Sequence, residues 1–161
     1  MGYTHHFHFR NGAEIDEWRW KDAVSLGKAC AEASGVTIKG ADGTGEPIMN
    51  DELVCFNGDR NGDHHCETFY IERKNEQLKS FCKTRREAYD IVVCCFLLAF
   101  KYIFKKDFEY VSDGTTRGDL RCKENKKYWA EHCPNYVPKV EAGWSAAYKL
   151  FNKVRKAWLA A

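Results

Sequence analysis

The sequence predicts an α+β domain in which a mostly antiparallel sheet is packed by helices, with an amphipathic helical extension at the C-terminus. Three observations predict it. The segment "GYTHHFHFR" over residues 2–10 alternates with the period of a strand. Helical spacing takes over in residues 13–34 and 85–105, and short strand-like runs bounded by glycine and proline lie between and after them.

In the first strand, Tyr3, His5, Phe7 and Phe9 share one face and Thr4, His6 and His8 the other. After Asn11-Gly12 a helix runs from about Ala13 to Ser34, with Ile15, Trp18, Ala23, Leu26, Ala29, Cys30 and Ala33 near helical spacing and Gly35 as its stop. A short strand at Val36–Ile38 follows. Residues 39–52, with Gly40, Gly43, Gly45 and Pro47, read as a loop. Strands at Leu53–Phe56 and Cys66–Glu72 flank the polar turn "NGDRNGDHH" as a long-looped hairpin. Thr84 and Glu87 have the spacing of a capping box, so the next helix is expected to start at Arg85 and run to about Lys105. From Ile91 onward it is apolar nearly all round, which marks a buried central helix. Phe108–Val111 reads as another strand.

Residues 115–133 are charged and weakly helical around Leu120–His132, and Pro134 and Pro138 bracket a connector. The last helix, Lys139–Ala160, carries Val140, Trp144, Tyr148 or Ala147, Phe151, Val154 and Trp158 as one stripe. Such a stripe packs on its own domain or, exposed, anchors an interface, so Trp144, Tyr148, Phe151 and Trp158 are the candidate interface of a homodimer. The expected division is 1–114 as the α+β core and 115–161 as the helical extension.

With 161 residues the chain is large enough to bury one core, and its net charge of +2 leaves anion recognition to local clusters. The eight cysteines form no C-x-x-C pair and several sit in apolar runs, and no secretory signal pattern opens the chain. This predicts a reduced, cytosolic setting. The apolar run Ile91–Phe100 is shorter than the roughly 20 residues a membrane span takes, so no membrane partner is expected.

The clearest local cluster is Lys83, Arg85 and Arg86 around Thr84. At a helix start these cations oppose the dipole, an arrangement that an anion would relieve through the unpaired N–H groups and the charged donors. Lys83, Thr84, Arg85 and Arg86 are therefore the candidate ligand site, with Tyr3, His5, Asn57, Glu67 and Asp113 as neighbours offering stacking and hydrogen bonds to a base or ribose. A small anionic, nucleotide-like ligand is the expected partner.

Other chemistry is less well supported by spacing. His5, His6, His8, His64, His65, His132 and Cys66 are metal-capable, but no H-E-x-x-H or C-x-x-C supplies paired ligands, and neither a metal nor another cofactor is expected. Asp59, Asn61 and Asp63 imitate a calcium loop whose turn glycine falls instead on His64. Glu72-Arg73-Lys74 has the E-x-K form of a metal-dependent nuclease, with Asp51 or Asp59 as second carboxylate. That small nuclease or phosphohydrolase is the alternative function. Cys82 and Ser80 have no histidine nearby in sequence, so no catalytic residue is assigned.

"MGYTH", "FNG" at Phe56–Gly58, "HCETF" at His65–Phe69, "FCKT" with "YD" across Phe81–Asp90, and "SDG" at Ser112–Gly114 together resemble a group of small phage and prophage proteins of uncharacterised activity. The resemblance covers roughly residues 1–114 and departs from the group where Cys66 interrupts the usual His-Glu pair. It implies a viral protein of the host cytosol. Together with the lack of a catalytic constellation, it suggests a non-enzymatic anti-defence inhibitor that holds either a nucleotide-type ligand or a host defence protein.

Overall fold

The computed structural model describes residues 3–74, 79–113 and 142–161, the last with side chains from Trp144 onward. The expected helix at 120–132, the connector at 134–138, the beginning of the terminal helix and His132 lie outside the described residues. The fold is α+β, with two small antiparallel sheets and three helices among the described residues.

The first sheet has β1 (Thr4–Phe9) at its centre, between β5 (Ser80–Lys83) and β6 (Phe108–Ser112). The second places β3 (Leu53–Phe56) between β2 (Ile48–Met49) and β4 (Phe69–Glu72). Period-two alternation sets β1: Phe7 and Phe9 are buried and His6 is exposed. Phe7 meets Phe69 of the second sheet at 5.0 Å between ring centroids, and Phe69 and Phe56 in turn reach Phe96.

Phe96 belongs to α2 (Asp90–Phe104), the central helix, which packs against α1 (Glu17–Ser34) and α3 (Ala142–Ala160). At the α1 crossing, a Cβ on Gly27 would fall 2.4 Å from the Phe96 ring, so only glycine permits this approach. Helix α1 starts at Glu17 because the Asp16 side chain accepts the Arg19 N–H, and it ends where Gly35 turns left-handed at φ 67°.

Five expectations need correction. No helix begins at Arg85: Arg85 and Arg86 have φ of 51° and 58°, and α2 starts at Asp90. The Glu87 N–H bonds the Thr84 carbonyl rather than its hydroxyl, closing a tight turn in place of the capping box. Residues 80–83, expected to lead into that helix, form β5 instead. The expected strand at 36–38 reduces to an isolated Lys39–Asn57 bridge. Likewise β4 begins at Phe69, because the Asn57 carboxamide bonds the Cys66 N–H, the Cys66 carbonyl and the Thr68 hydroxyl, where a partner strand would otherwise pair.

Helix α3 lies on the core. Trp144 is fully buried, with its indole N–H donating to Ser112 Oγ at 2.9 Å, and Ala147 and Phe151 are buried beside it. Tyr148 is half-buried against Trp144, and the half-buried Trp158 donates to Ser25 Oγ. The stripe expected as an interface is therefore spent largely on the chain's own helices. No helix among the described residues is long and apolar enough to cross a membrane.

Candidate functional site

The β5–α2 turn is built on a buried carboxylate. Asp90 Oδ1 accepts from Thr84 Oγ1 at 2.6 Å and from His5 Nε2 at 2.6 Å, and Oδ2 accepts the Cys94 thiol at 3.6 Å. Burial, reinforced by the Asp90 charge, pushes the Cys94 thiol well above its ordinary value, so it stays a donor. These bonds tie β1, the turn and the first two turns of α2 together. Thr84 is fixed further by its N–H, which bonds the Tyr3 carbonyl, and Lys83 by its N–H, which bonds Glu67 Oε2 at 2.7 Å.

From this base the turn presents its cations to solvent. Lys83, Arg85 and Arg86 are all exposed. Arg86 lies over the Tyr3 ring, 4.2 Å from its centroid, and Arg85 Nη2 donates to the His65 carbonyl at 2.9 Å. Glu67 is half-buried, with its carbonyl receiving the Tyr89 hydroxyl. Asp113, exposed at the end of β6, accepts the Thr4 N–H through Oδ2 at 3.0 Å.

The structure thus gathers Tyr3, His5, Glu67 and Asp113 around the turn but alters their roles. Tyr3 and His5 are buried, 1% and 0% exposed, and neither offers a face on which a base could stack. Asn57 is likewise buried and holds the 57–68 loop rather than a ligand. The aromatic surface that is exposed near the cations belongs to Phe81, which the sequence pattern does not single out because it places no strand ahead of the helix expected at Arg85. Asp90, the centre of the network, was missed as well. Its signal was a lone carboxylate at the head of an apolar run.

His5, Asp90 and Cys94 are the one set of three metal-capable ligand atoms within 4.8 Å of one another among the described residues. A metal on His5 Nε2 would call for an acceptor at Nδ1, and this buried Nδ1 has none. With the proton on Nε2, directed to Asp90, Nδ1 is left as a bare lone pair, and the cluster acts as a hydrogen-bonded clamp. The nuclease set does not assemble. Lys74 and Arg73 both turn to Glu52, Glu72 receives the Tyr70 hydroxyl, Asp51 lies by Lys21, and Asp59 accepts the Asn61 N–H within its own loop. An open cleft of about 490 Å³ between residues 43–46 and 59–61 sets Lys39 and Arg60 against Glu46 and Asp59, so its charges balance.

No family model, no curated protein and no solved structure matches the chain.

Proposed function

We propose that this chain is a binding protein without turnover that holds a phosphate-bearing, nucleotide-type ligand at the Lys83–Arg86 turn. One observation carries the reading: two consecutive arginines stand in the left-handed region. This conformation costs a residue other than glycine about 1–2 kcal/mol, and such strain persists only where the surroundings over-determine it. Here the surroundings do so, through the Thr84–Asp90 and Lys83–Glu67 bonds, and the result is a rigid platform carrying three exposed cations within four residues. Guanidinium groups held in this way suit an anion with several acceptor oxygens.

The resemblance of residues 1–114 to small phage proteins supports placing this activity in the host cytosol, where sequestering a nucleotide signal, or binding a host defence protein, would blunt a defence response. Calorimetric titration with inorganic phosphate and with mono-, di- and cyclic nucleotides tests the reading. Binding of a phosphate-bearing compound that weakens about ten-fold or more in the Lys83→Ala, Arg85→Ala double variant is expected. Equal binding by wild type and the double variant would refute it.

A further inference from the structure

The sheet that carries the turn has an outer face that the cation site alone does not explain. By the register of the ladders, Phe81, His6 and Val111 stand side by side across β5, β1 and β6. Phe81 is 54% exposed and Val111 56%, and His6 between them is exposed too. The Phe81 and His6 rings lie 6.1 Å apart. An aromatic and an imidazole ring open to solvent on an antiparallel sheet form a surface that stacks a base.

The charges beside this row are polarised by strand, although Asp63 lies 3.9 Å from Arg85, Glu67 accepts the Lys83 N–H and Glu109 lies 3.3 Å from His8. Lys83 is two residues beyond Phe81 on the same strand and face, opposite Thr4, and Arg85 follows it. On the far side stand Glu109, opposite His8, and Asp113, which bonds Thr4. The cationic β5 side and the acidic β6 side are separated by two strand spacings of about 4.8 Å each. A polyanionic strand laid across the face would run its phosphates into Glu109 and Asp113. A single nucleotide meets no such conflict, since its phosphate faces Lys83 and Arg85 while its base reaches toward the carboxylates.

We infer that the outer face of this sheet is the base platform for the ligand of the Lys83–Arg86 turn. That ligand is a mononucleotide whose base carries an exocyclic amine, stacked on Phe81 and His6, with the amine directed to the Asp113 side. The inference rests on the binding function proposed above and adds the class and orientation of the ligand. It also gives a use to an exposed phenylalanine beside lysine and arginine.

Calorimetry with AMP, inosine monophosphate, ribose 5-phosphate and inorganic phosphate tests it, on wild type, Phe81→Ala and Phe81→Trp. Phe81 is solvent-exposed, so both variants are expected to fold, with far-ultraviolet circular dichroism as the check. AMP should bind wild type roughly ten-fold or more tighter than ribose 5-phosphate, and Phe81→Ala should remove that advantage while Phe81→Trp keeps it. Inosine monophosphate should bind more weakly than AMP. Equal affinity of wild type for AMP and ribose 5-phosphate, unchanged in Phe81→Ala, would overturn the platform and leave the phosphate-binding turn standing. Equal affinity for AMP and inosine monophosphate would overturn the role given to the amine. Failure of all four compounds to bind wild type would overturn the turn and the platform together. Sedimentation of the same proteins supplies a last check: a dimer that Phe81→Ala converts to monomer would show that a second copy covers this face, which also overturns the inference.

Discussion

The hydroxyl of Thr84 lies 2.6 Å from Oδ1 of Asp90, joining the end of β5 to the start of α2 beneath the arginine turn. Both residues are buried, and the same carboxylate oxygen receives His5. Removing the acceptor strands three donors in the core. Asp90→Ala should therefore cost several kcal/mol, at about 1–3 kcal/mol for each buried donor left without its partner. Thr84→Val, which removes one donor and keeps the shape, should cost about 1–3 kcal/mol. Urea unfolding measures both, and a Thr84→Val variant as stable as wild type would mean that the turn is held by other contacts.

Arg85 at φ 51° makes an unusual expectation for a surface arginine. Arg85→Gly removes the charge and the bond to the His65 carbonyl, yet relieves the left-handed strain. The two effects are of similar size, so stability should stay within about 1 kcal/mol of wild type. Phosphate-bearing ligands should nonetheless bind about ten-fold more weakly, as for a lost charge-assisted contact. Thermal unfolding and titration read the two effects separately. Marked destabilisation would show that the arginine itself shapes the turn.

The central helix and β1 were legible because their burial follows one period: the aromatic residues of β1 alternate, and α2 from Val92 to Phe100 is buried on every side. The start of α2 was not legible for a local reason. Thr84-x-x-Glu87 fits a capping box in sequence, but the same spacing closes a tight turn once Thr84 gives its hydroxyl to Asp90, and that acceptor is fixed only by tertiary packing. The cations of the candidate site were found, since charge clusters need no fold to be seen. Its aromatic partners were misassigned because no strand is read ahead of the expected helix start at Arg85, which leaves unseen the alternation that exposes Phe81 and buries Cys82.

Gly27 tests the α1–α2 crossing. Alanine at a helix interior gains about 1 kcal/mol over glycine, but its Cβ would sit 2.4 Å from the fully buried Phe96 ring, itself packed between Phe56, Phe69 and Phe100. Overpacking of this kind costs about 1–3 kcal/mol. Gly27→Ala should be net destabilising in urea, and a more stable variant would mean that the ring has room to yield.

Asp107 ties two strand-end and helix-start arginines together. The hydrogen bond from Arg10, aided against partial burial by Arg19, holds its carboxyl below the ordinary aspartate range. A depressed folded value means that the contribution to stability is complete above the unfolded value of about 3.9 and fades as pH falls through the lower folded one. Asp107→Asn should therefore lower Tm at pH 6, with the gap to wild type narrowing only as pH falls below about 3.9 toward the lowered folded value. Added salt should shrink the difference at pH 6. A gap that persists in acid would point to lost packing rather than to the charge.

Trp144 decides between the two uses of the terminal helix. Its ring stacks on Tyr110 at 5.5 Å, meets His5 edge-on at 5.7 Å and bonds Ser112, so it closes the inner face of the first sheet. Truncating a tryptophan so placed to alanine costs about 3–5 kcal/mol, and Trp144→Ala should lose that amount within a single folded chain. Urea midpoints taken at two protein concentrations ten-fold apart separate this from an intermolecular role. A stability that belongs to the chain alone gives coincident midpoints, whereas one shared with a second copy rises with concentration. Coincident midpoints for wild type and variant, with the variant shifted down as a whole, are expected. A concentration-dependent wild-type midpoint that Trp144→Ala abolishes would return the stripe to an interface.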